Sequence, residues 1–138
     1  MAKKLENWHG CPIRYAAAMI GDRWKLVILR DLAFKEARRY GEFAAEEGVA
    51  TNILASRLVE LEADGLIERT IDPENGRPMY LLTEKGRDLV PAFLALIGWS
   101  YKWDSESEVP KSFAHDLKRD PDEVARRIMS RLEDESAV

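Results

Sequence analysis

The clearest pattern of apolar and polar positions lies in the middle of the chain. Leu54, Leu58 and Leu61 follow one another at spacings of four and three residues, which places them on one face of a helix. This helix is expected to run from about residue 50 to residue 64. Gly65 stands where a left-handed residue commonly closes a helix. The pattern predicts an amphipathic helix with a buried leucine face and a sharp end.

Two short strands are predicted immediately after this helix. The segments LIERTI and PMYLL flank DPENGR, a turn rich in Pro, Asn and Gly, so a β-hairpin is the simplest interpretation. Thr83 is then expected to cap a long helix, TEKGRDLVPAFLALIGWSYKWD, in which Pro91 favours a kink. The order is therefore helix, hairpin, and a kinked apolar helix.

The first third of the chain predicts two helices and a short helical piece. Pro12 suits the first position of the helix PIRYAAAMI, which puts Cys11 at the N-cap and ends at Gly21. Asp22 caps the next helix, RWKLVILRDLAF, and a short helical piece around Tyr40–Glu47 follows it. In the second helix the apolar face is assigned to Trp24, Val27, Ile28 and Leu32, whereas Arg23, Lys25 and Arg30 project elsewhere.

The segment from residue 105 onwards is predicted to form a separate helical arm. KSFAHDL is long enough for a short helix, and DPDEVARRIMSRL begins with Asp120, Pro121 and Glu123 in capping-box positions. The apolar stripe of this last helix is thin for an element that stands alone. The arm is therefore expected to pack on a partner or on the main domain.

The net charge of the chain narrows the possible functions but does not identify one of them. A chain of 138 residues suits one domain with appendages, and its 21 basic and 25 acidic residues leave a formal charge of −4. Residues 104–138 hold 6 basic and 10 acidic residues, which is the whole of that negative charge. The neutral remainder can still bind DNA through a local basic stripe.

Signals for targeting and for catalysis are sparse. Since the chain shows neither a run of about 18 apolar residues nor a basic-then-apolar leader, we expect no membrane span, no secretory signal and a cytoplasmic location. The single cysteine, Cys11, excludes an internal disulfide. His9 and Cys11 supply at most two metal ligands, and no phosphate loop or catalytic carboxylate pair stands out. We expect no enzyme activity, cofactor or metal.

Four motifs resemble the HxlR-type transcriptional regulators. These are CP at 11–12, GDRWKLVILRDL at 21–32, RLVELEADGLIER at 57–69 and YLLTEKG at 80–86. The resemblance covers roughly residues 11–103 and implies a homodimer, built on terminal helices, that binds a pseudo-palindromic DNA operator. The expected fold is mainly α with a small β-hairpin, a winged helix-turn-helix with terminal dimerisation helices. Residues 1–104 would form that domain and residues 105–138 the helical arm.

The first turns of a recognition helix enter the major groove, while its C-terminal half stays with the protein. Thr51, Asn52 and Ser56 occupy the entering half and are the expected base readers, with Arg57 a phosphate contact at the flank. The departing half carries three acids, which are expected to pair with protein cations or face solvent. The alternative for the entering residues is an ordinary solvated helix face.

Four further arginines are candidates for contacts to the DNA backbone. Arg77 lies beside the Asn75-Gly76 turn at the predicted wing tip, and Arg69 supports it from the strand. Arg38 and Arg39 are expected to clamp phosphates. The alternative in each case is an ordinary exposed arginine.

Aromatic residues and the cysteine are candidates for receiving a signal. Trp8, Trp99, Tyr101 and Trp103 are assigned either to an effector pocket between subunits or to the core and dimer interface. At a helix N-terminus Cys11 would be favoured as a thiolate, and the resemblance makes it a redox or electrophile sensor; the alternative is a buried structural thiol.

Taken with the resemblance, these features predict a sequence-specific binder of double-stranded DNA that regulates transcription. It is expected to be a repressor controlled by a redox, electrophile or small-molecule signal. The alternative is a winged-helix module that binds other proteins and not DNA.

Overall fold

The computed structural model describes residues 10–136 and shows a mainly helical fold with one β-hairpin. α1 (Pro12–Ile20), α2 (Arg23–Phe34) and a short 3₁₀ helix (Tyr40–Glu42) come first. α3 (Thr51–Ala63) leads into the antiparallel strands β1 (Ile67–Ile71) and β2 (Pro78–Leu82). They are followed by α4 (Glu84–Arg87), α5 (Val90–Trp103), α6 (Lys111–Arg119) and α7 (Pro121–Ser136). The predicted fold class is confirmed.

Helix α2 lies at the centre of the hydrophobic core. Asp22 caps it as predicted, because its carboxylate accepts hydrogen bonds from the N–H groups of Trp24 (3.0 Å) and Lys25 (2.9 Å). The sequence places Lys25 outside the apolar face of α2, yet this residue is not exposed. Its side chain is buried and its Nζ lies 2.8 Å from Oε2 of Glu60 on α3. The most buried apolar residues of α2 are Ile28, Leu29, Leu32 and Ala33.

The segment between α2 and α3 is mostly a turn. Helical structure ends at Glu42, and Ala44 adopts a left-handed φ of 51°. The buried carboxylate of Asp31 accepts a hydrogen bond from the Ala44 N–H group (2.8 Å) and so holds the turn against α2. The predicted helical piece over Tyr40–Glu47 is therefore wrong beyond Glu42, because this tertiary hydrogen bond outweighs the local helix preference.

Helix α3 and the hairpin follow the predicted pattern. Leu54, Leu58 and Leu61 are buried, and Gly65 closes the helix with a φ of 78°. The two strands pair from Ile67 opposite Leu82 to Ile71 opposite Pro78, so the turn between them spans residues 72–77. The hairpin is the wing that the sequence predicts.

The junction between the wing and α4 is tightly packed. Thr83 acts as the predicted cap: its Oγ1 donates to the Gly65 carbonyl oxygen (2.5 Å) and accepts from the Gly86 N–H group (3.2 Å). A Cβ atom on the buried Gly86 would lie 2.2 Å from the carbonyl oxygen of Leu66. This junction therefore needs glycine. The predicted long helix is divided into α4 and α5, and Pro91 lies in the first turn of α5.

The two C-terminal helices pack on α5 and on the main core. Leu117, Val124 and Leu132 are buried and join the same apolar cluster as the leucines of α2 and α3. Nη2 of Arg131 donates a hydrogen bond to the carbonyl oxygen of Ala33 at the end of α2 (2.7 Å). Within one chain, the arm thus covers the main domain. No helix in residues 10–136 is both long and apolar enough to cross a membrane.

Candidate nucleic-acid interface

The outer face of α3 begins with uncharged, exposed side chains. Thr51, Asn52 and Ser56 are all exposed, and the first turn contains no acidic residue. Val59 continues the same surface with 67% of its area exposed. The geometry thus leaves the side chains that the sequence singles out as base readers accessible at one end of the helix.

The approach to α3 is fixed by three polar contacts. The Tyr40 hydroxyl donates a hydrogen bond to the Thr51 carbonyl oxygen (2.8 Å). The guanidinium of Arg30 on α2 forms two hydrogen bonds with Glu47, Nη1 to Oε2 (2.8 Å) and Nη2 to Oε1 (3.1 Å), and these hold the pKa of Glu47 below its ordinary value. Arg30 also binds Asp31, which anchors the turn as described above. No spacing rule identifies the contacts of Tyr40 and Glu47, since their partners belong to different segments.

The acidic residues of α3 lie in its C-terminal half, and Glu60 is neutralised by the protein. Its Oε2 binds the buried Lys25, and its Oε1 lies 3.8 Å from Nη1 of Arg57. Glu62 is exposed to solvent. Both arrangements that the sequence suggests for the acids, pairing and solvation, are therefore present.

Arg57 joins the start of α2 to α3. Its Nε lies 3.1 Å from the carboxylate of Asp22, and its Nη1 donates to the Ser56 hydroxyl (3.0 Å). Partial burial opposes ionisation of Asp22, yet hydrogen bonds from the Lys25 N–H group and from Arg57 lower its pKa. A phosphate contact by Arg57 would have to compete with this carboxylate.

The wing presents two of the predicted arginines to solvent. Arg69 lies on β1 opposite Tyr80, and Arg77 lies at the end of the turn, where its N–H group donates to Oδ1 of Asn75 (3.0 Å). Both residues are exposed. In the part of the chain that the structure describes, neither guanidinium forms a hydrogen bond or an ion pair. These two cations are accessible to a phosphate backbone.

Arg38 and Arg39 are bound within the protein. Arg38 pairs with Glu135 of α7 and donates to the Leu32 carbonyl oxygen (2.9 Å), and only 14% of its side chain is exposed. Arg39 pairs with Asp72 at the start of the turn of the wing. The hydrogen bond from the Glu74 N–H group, together with Arg39, holds the pKa of Asp72 below its ordinary value. The sequence could not reveal these partners, because the two carboxylates are distant along the chain.

Exposed apolar side chains also occur on α1 and on α5. No residue of α1 is buried, and Ile13 is 77% exposed. On α5, Trp99 and Trp103 are 67% and 70% exposed and share one face. Tyr101 points to another side of α5, where it lines a cavity with α6 and α7. Trp8 lies outside the described residues.

Cys11 is half-buried at the N-cap position of α1. Its carbonyl oxygen accepts a hydrogen bond from the Tyr15 N–H group (3.0 Å), so the first turn of α1 begins at this residue. Among residues 10–136, no group of three or more His, Cys, Asp and Glu side chains is arranged to hold a metal ion.

Comparison with known proteins identifies relatives of one kind. Residues 19–108 match the sequence model of the HxlR-like helix-turn-helix family. An HTH-type transcriptional regulator of Synechocystis sp. is 36% identical over 101 residues, which cover 72% of this chain and 74% of that protein. These similar proteins are regulators and not enzymes.

Two solved structures resemble the chain in fold and sequence. The crystal structure of PA1607, described as a candidate transcription factor, is 36% identical, has a TM-score of 0.68 and covers 75% of each chain. The redox regulator HypR in its oxidised form is 28% identical and has a TM-score of 0.58, over 72% of this chain and 100% of that one. The similarity thus extends over about three quarters of this chain.

Proposed function

Because the chain belongs to the HxlR-like helix-turn-helix family, we propose that it is a sequence-specific transcriptional regulator that binds double-stranded DNA. The observation that carries this proposal is the exposed polar surface at the start of α3, with no acid in its first turn. The regulator works in the cytoplasm as a repressor. A winged helix that binds only other proteins would not need exposed polar side chains at the start of α3 beside two accessible arginines on the wing.

The start of α3 supplies the base contacts. When its first turns enter the major groove, the Asn52 amide suits an adenine edge, the Ser56 hydroxyl suits either base, and the Thr51 methyl suits a thymine methyl. Arg77 at the wing tip contacts phosphate or the adjacent minor groove, and Arg69 adds positive charge along the strand. Arg38, Arg39 and Arg57 hold the reading elements in place through their carboxylate partners.

The working unit is a homodimer. A single chain leaves apolar residues of α1 and α5 in water, among them Ile13, Leu96, Trp99 and Trp103. Large apolar side chains exposed in this number are typical of protein interfaces. Two copies joined through these helices would present two α3 helices to a pseudo-palindromic operator, whose half-sites are expected about one helical turn apart.

Removing the base readers tests the assignment. Asn52→Ala and Ser56→Ala are each expected to weaken binding to the selected operator by about 1–3 kcal/mol, because each loses hydrogen bonds to a base edge. Arg77→Gln is expected to weaken binding to all duplexes alike and to reduce the salt dependence. The operator is first selected from a random duplex pool, and affinities are then measured by fluorescence anisotropy at fixed salt.

Glu62→Gln is the matched control, since this exposed residue lies in the half of α3 that leaves the groove. It is expected to retain the wild-type discrimination between operator and scrambled duplex. Unchanged operator affinity in both alanine variants would remove Asn52 and Ser56 from the reading surface. If the wild type binds no duplex in a salt-dependent, sequence-selective way, the protein-docking alternative is favoured.

The signal that we propose is an oxidant or electrophile acting at Cys11. Two observations support it: HypR, a redox regulator, shares this fold, and Cys11 is half-buried at the start of the exposed helix α1. With one cysteine in the 138 residues, the reaction yields an intersubunit disulfide, a mixed disulfide or an adduct. Each product places new bulk or a new bond beside the proposed dimer surface.

Diamide treatment of wild type and Cys11→Ser tests the sensor. Diamide is expected to weaken DNA binding in the wild type only, and a thiol reductant should restore it, because a disulfide at Cys11 changes the geometry of α1. Affinity for the selected operator is measured before treatment, after treatment and after reduction. An identical response in the two proteins would assign Cys11 to packing and would favour a small-molecule signal.

A further inference from the structure

A cavity of about 790 Å³ lies where the C-terminal helices meet the main domain. We call it the arm cavity. It is bounded by α2, α5, α6, α7 and the connection before α6, so neither the wing nor the recognition helix contributes to it. Its lining consists of Arg30, Phe34, Lys35, Ile97, Glu108, Val109, Pro110, Phe113, Arg127, Ile128 and Arg131.

The inner part of the arm cavity is apolar. Phe34, Ile97, Phe113 and Ile128 are each half-buried, so these side chains cover the core on one side and remain accessible on the other. Ligand sites typically have volumes of about 300–1,000 Å³ and combine an apolar lining with a few placed polar groups. The cavity has the size and the lining for a small organic molecule.

The rim of the arm cavity is strongly basic. It carries Arg30, Lys35, Arg127 and Arg131 and a single acid, Glu108. Carboxylates of neighbouring segments satisfy three of the cations: Glu47 binds Arg30 at 2.8 Å, Glu46 binds Lys35 at 3.2 Å, and Glu36 binds Arg131 at 3.5 Å.

Arg127 differs from the other three cations of the rim. It is exposed, and within residues 10–136 its guanidinium makes no hydrogen bond or ion pair. The Arg127 guanidinium therefore places several N–H donors next to the aromatic and branched apolar side chains of the cavity. A planar carboxylate matches this guanidinium through two parallel hydrogen bonds.

A second cavity, of about 830 Å³, lies on the other side of α5 and is less suited to an anion. Its charged residues are Lys102, Lys118 and Asp122, and its wall is built mainly from small side chains such as Ala95 and Gly98. The arm cavity has the larger apolar side chains, and its cation that is unpaired within residues 10–136 is an arginine, which can bind a carboxylate through two parallel hydrogen bonds, whereas the cations of the second cavity are lysines. The side chains therefore favour the arm cavity as the carboxylate site.

We propose that the arm cavity binds a small organic carboxylate with an aromatic or branched aliphatic body. The body packs between Phe34, Phe113 and Ile128, and the carboxylate is held by Arg127. Binding of this ligand does not depend on the chain's action on DNA.

The effect of ligand binding is transmitted to the DNA-binding region through Arg30. This guanidinium lines the arm cavity and also holds Glu47, which lies in the turn just before α3. Since Arg127 and Arg30 line the same cavity, a carboxylate held by Arg127 would also compete with Glu47 for Arg30 and so loosen the turn before α3. This consequence rests on the proposed function, whereas the ligand site does not.

The site is tested by calorimetric titration of the full chain, without DNA, with 2-naphthoate and with its neutral analogue 2-naphthamide. 2-Naphthoate is expected to bind saturably, one molecule per chain, and 2-naphthamide about tenfold more weakly because it lacks the charge. Arg127→Gln should weaken 2-naphthoate binding by about fivefold or more, since it removes the charge-assisted hydrogen bonds.

Two matched variants locate the ligand. Arg126→Gln changes the neighbouring arginine, which pairs with Glu123 and does not line the cavity, and should leave the affinity within about twofold of wild type. Lys118→Gln, in the second cavity, should do the same. The proposal is overturned by absence of saturable 2-naphthoate binding, by equal affinity for 2-naphthamide, or by a loss in Lys118→Gln in place of Arg127→Gln. It is also overturned if Arg127→Gln lowers the oligomeric state in sedimentation, because the face would then be a contact between copies.

Discussion

Gly86→Ala is expected to lower the free energy of unfolding by about 3 kcal/mol, at the upper end of the usual range for overpacking. The added Cβ would lie 2.2 Å from the Leu66 carbonyl oxygen and 2.9 Å from Cδ2 of Leu82. A leucine side chain can move away, but the Leu66 carbonyl belongs to the backbone that enters β1. The wing and α4 must therefore separate, which weakens the capping contacts of Thr83.

Gly98→Ala provides the matched control in the same protein. Its Cβ would meet only Cδ2 of Leu117, at 4.0 Å, which is ordinary contact. Because Gly98 lies inside α5, alanine there should increase stability by up to about 1 kcal/mol. Urea unfolding followed by circular dichroism measures both variants. If the Gly86→Ala protein is as stable as wild type, the close packing at this junction does not affect the free energy of unfolding.

Trp99→Glu is expected to give a monomer at micromolar concentration and to reduce operator affinity by about a hundredfold or more. A carboxylate in the centre of the exposed stripe of α5 opposes burial against a second copy. In a monomer, the second α3 helix is no longer held near its half-site at the high effective concentration that a dimer provides. Sedimentation velocity reports the assembly, and fluorescence anisotropy with the full palindrome reports the affinity.

Ser112→Glu controls for the added negative charge. Ser112 is exposed on α6, away from the apolar stripe, and its variant should remain dimeric with close to wild-type affinity. The dimer proposal fails if Trp99→Glu is monomeric and still binds one full palindrome as tightly as wild type. It also fails if the wild type is itself a well-folded monomer under these conditions.

Local sequence patterns were sufficient to predict the elements whose conformation depends mainly on their own residues. The spacing of Leu54, Leu58 and Leu61 predicted α3, and the Asn75-Gly76 turn predicted the wing. Contacts between distant segments decided the remaining cases. The sequence places Lys25 outside the apolar face of α2, but only the structure shows that it is buried and paired with Glu60 of α3.

The same limit applies to the candidate site. Sequence can mark an arginine as basic and near a reading element, but it cannot show whether a carboxylate has already bound it. Arg38 and Arg39 are bound by Glu135 and Asp72, while Arg77 is exposed at the wing tip. The two groups differ in their tertiary surroundings and in nothing that composition or spacing records.

The packing of α7 also affects how the protein emerges from the ribosome. Val124 and Leu132 fill the core beside α2 and α5, so those helices are synthesised well before the side chains that cover them. Until α7 has emerged from the ribosome, the apolar surface that it will cover stays in contact with water. Such transiently exposed surface favours aggregation and chaperone binding. The main domain therefore completes its packing only after α7 has left the ribosome, although its own helices and wing are made first.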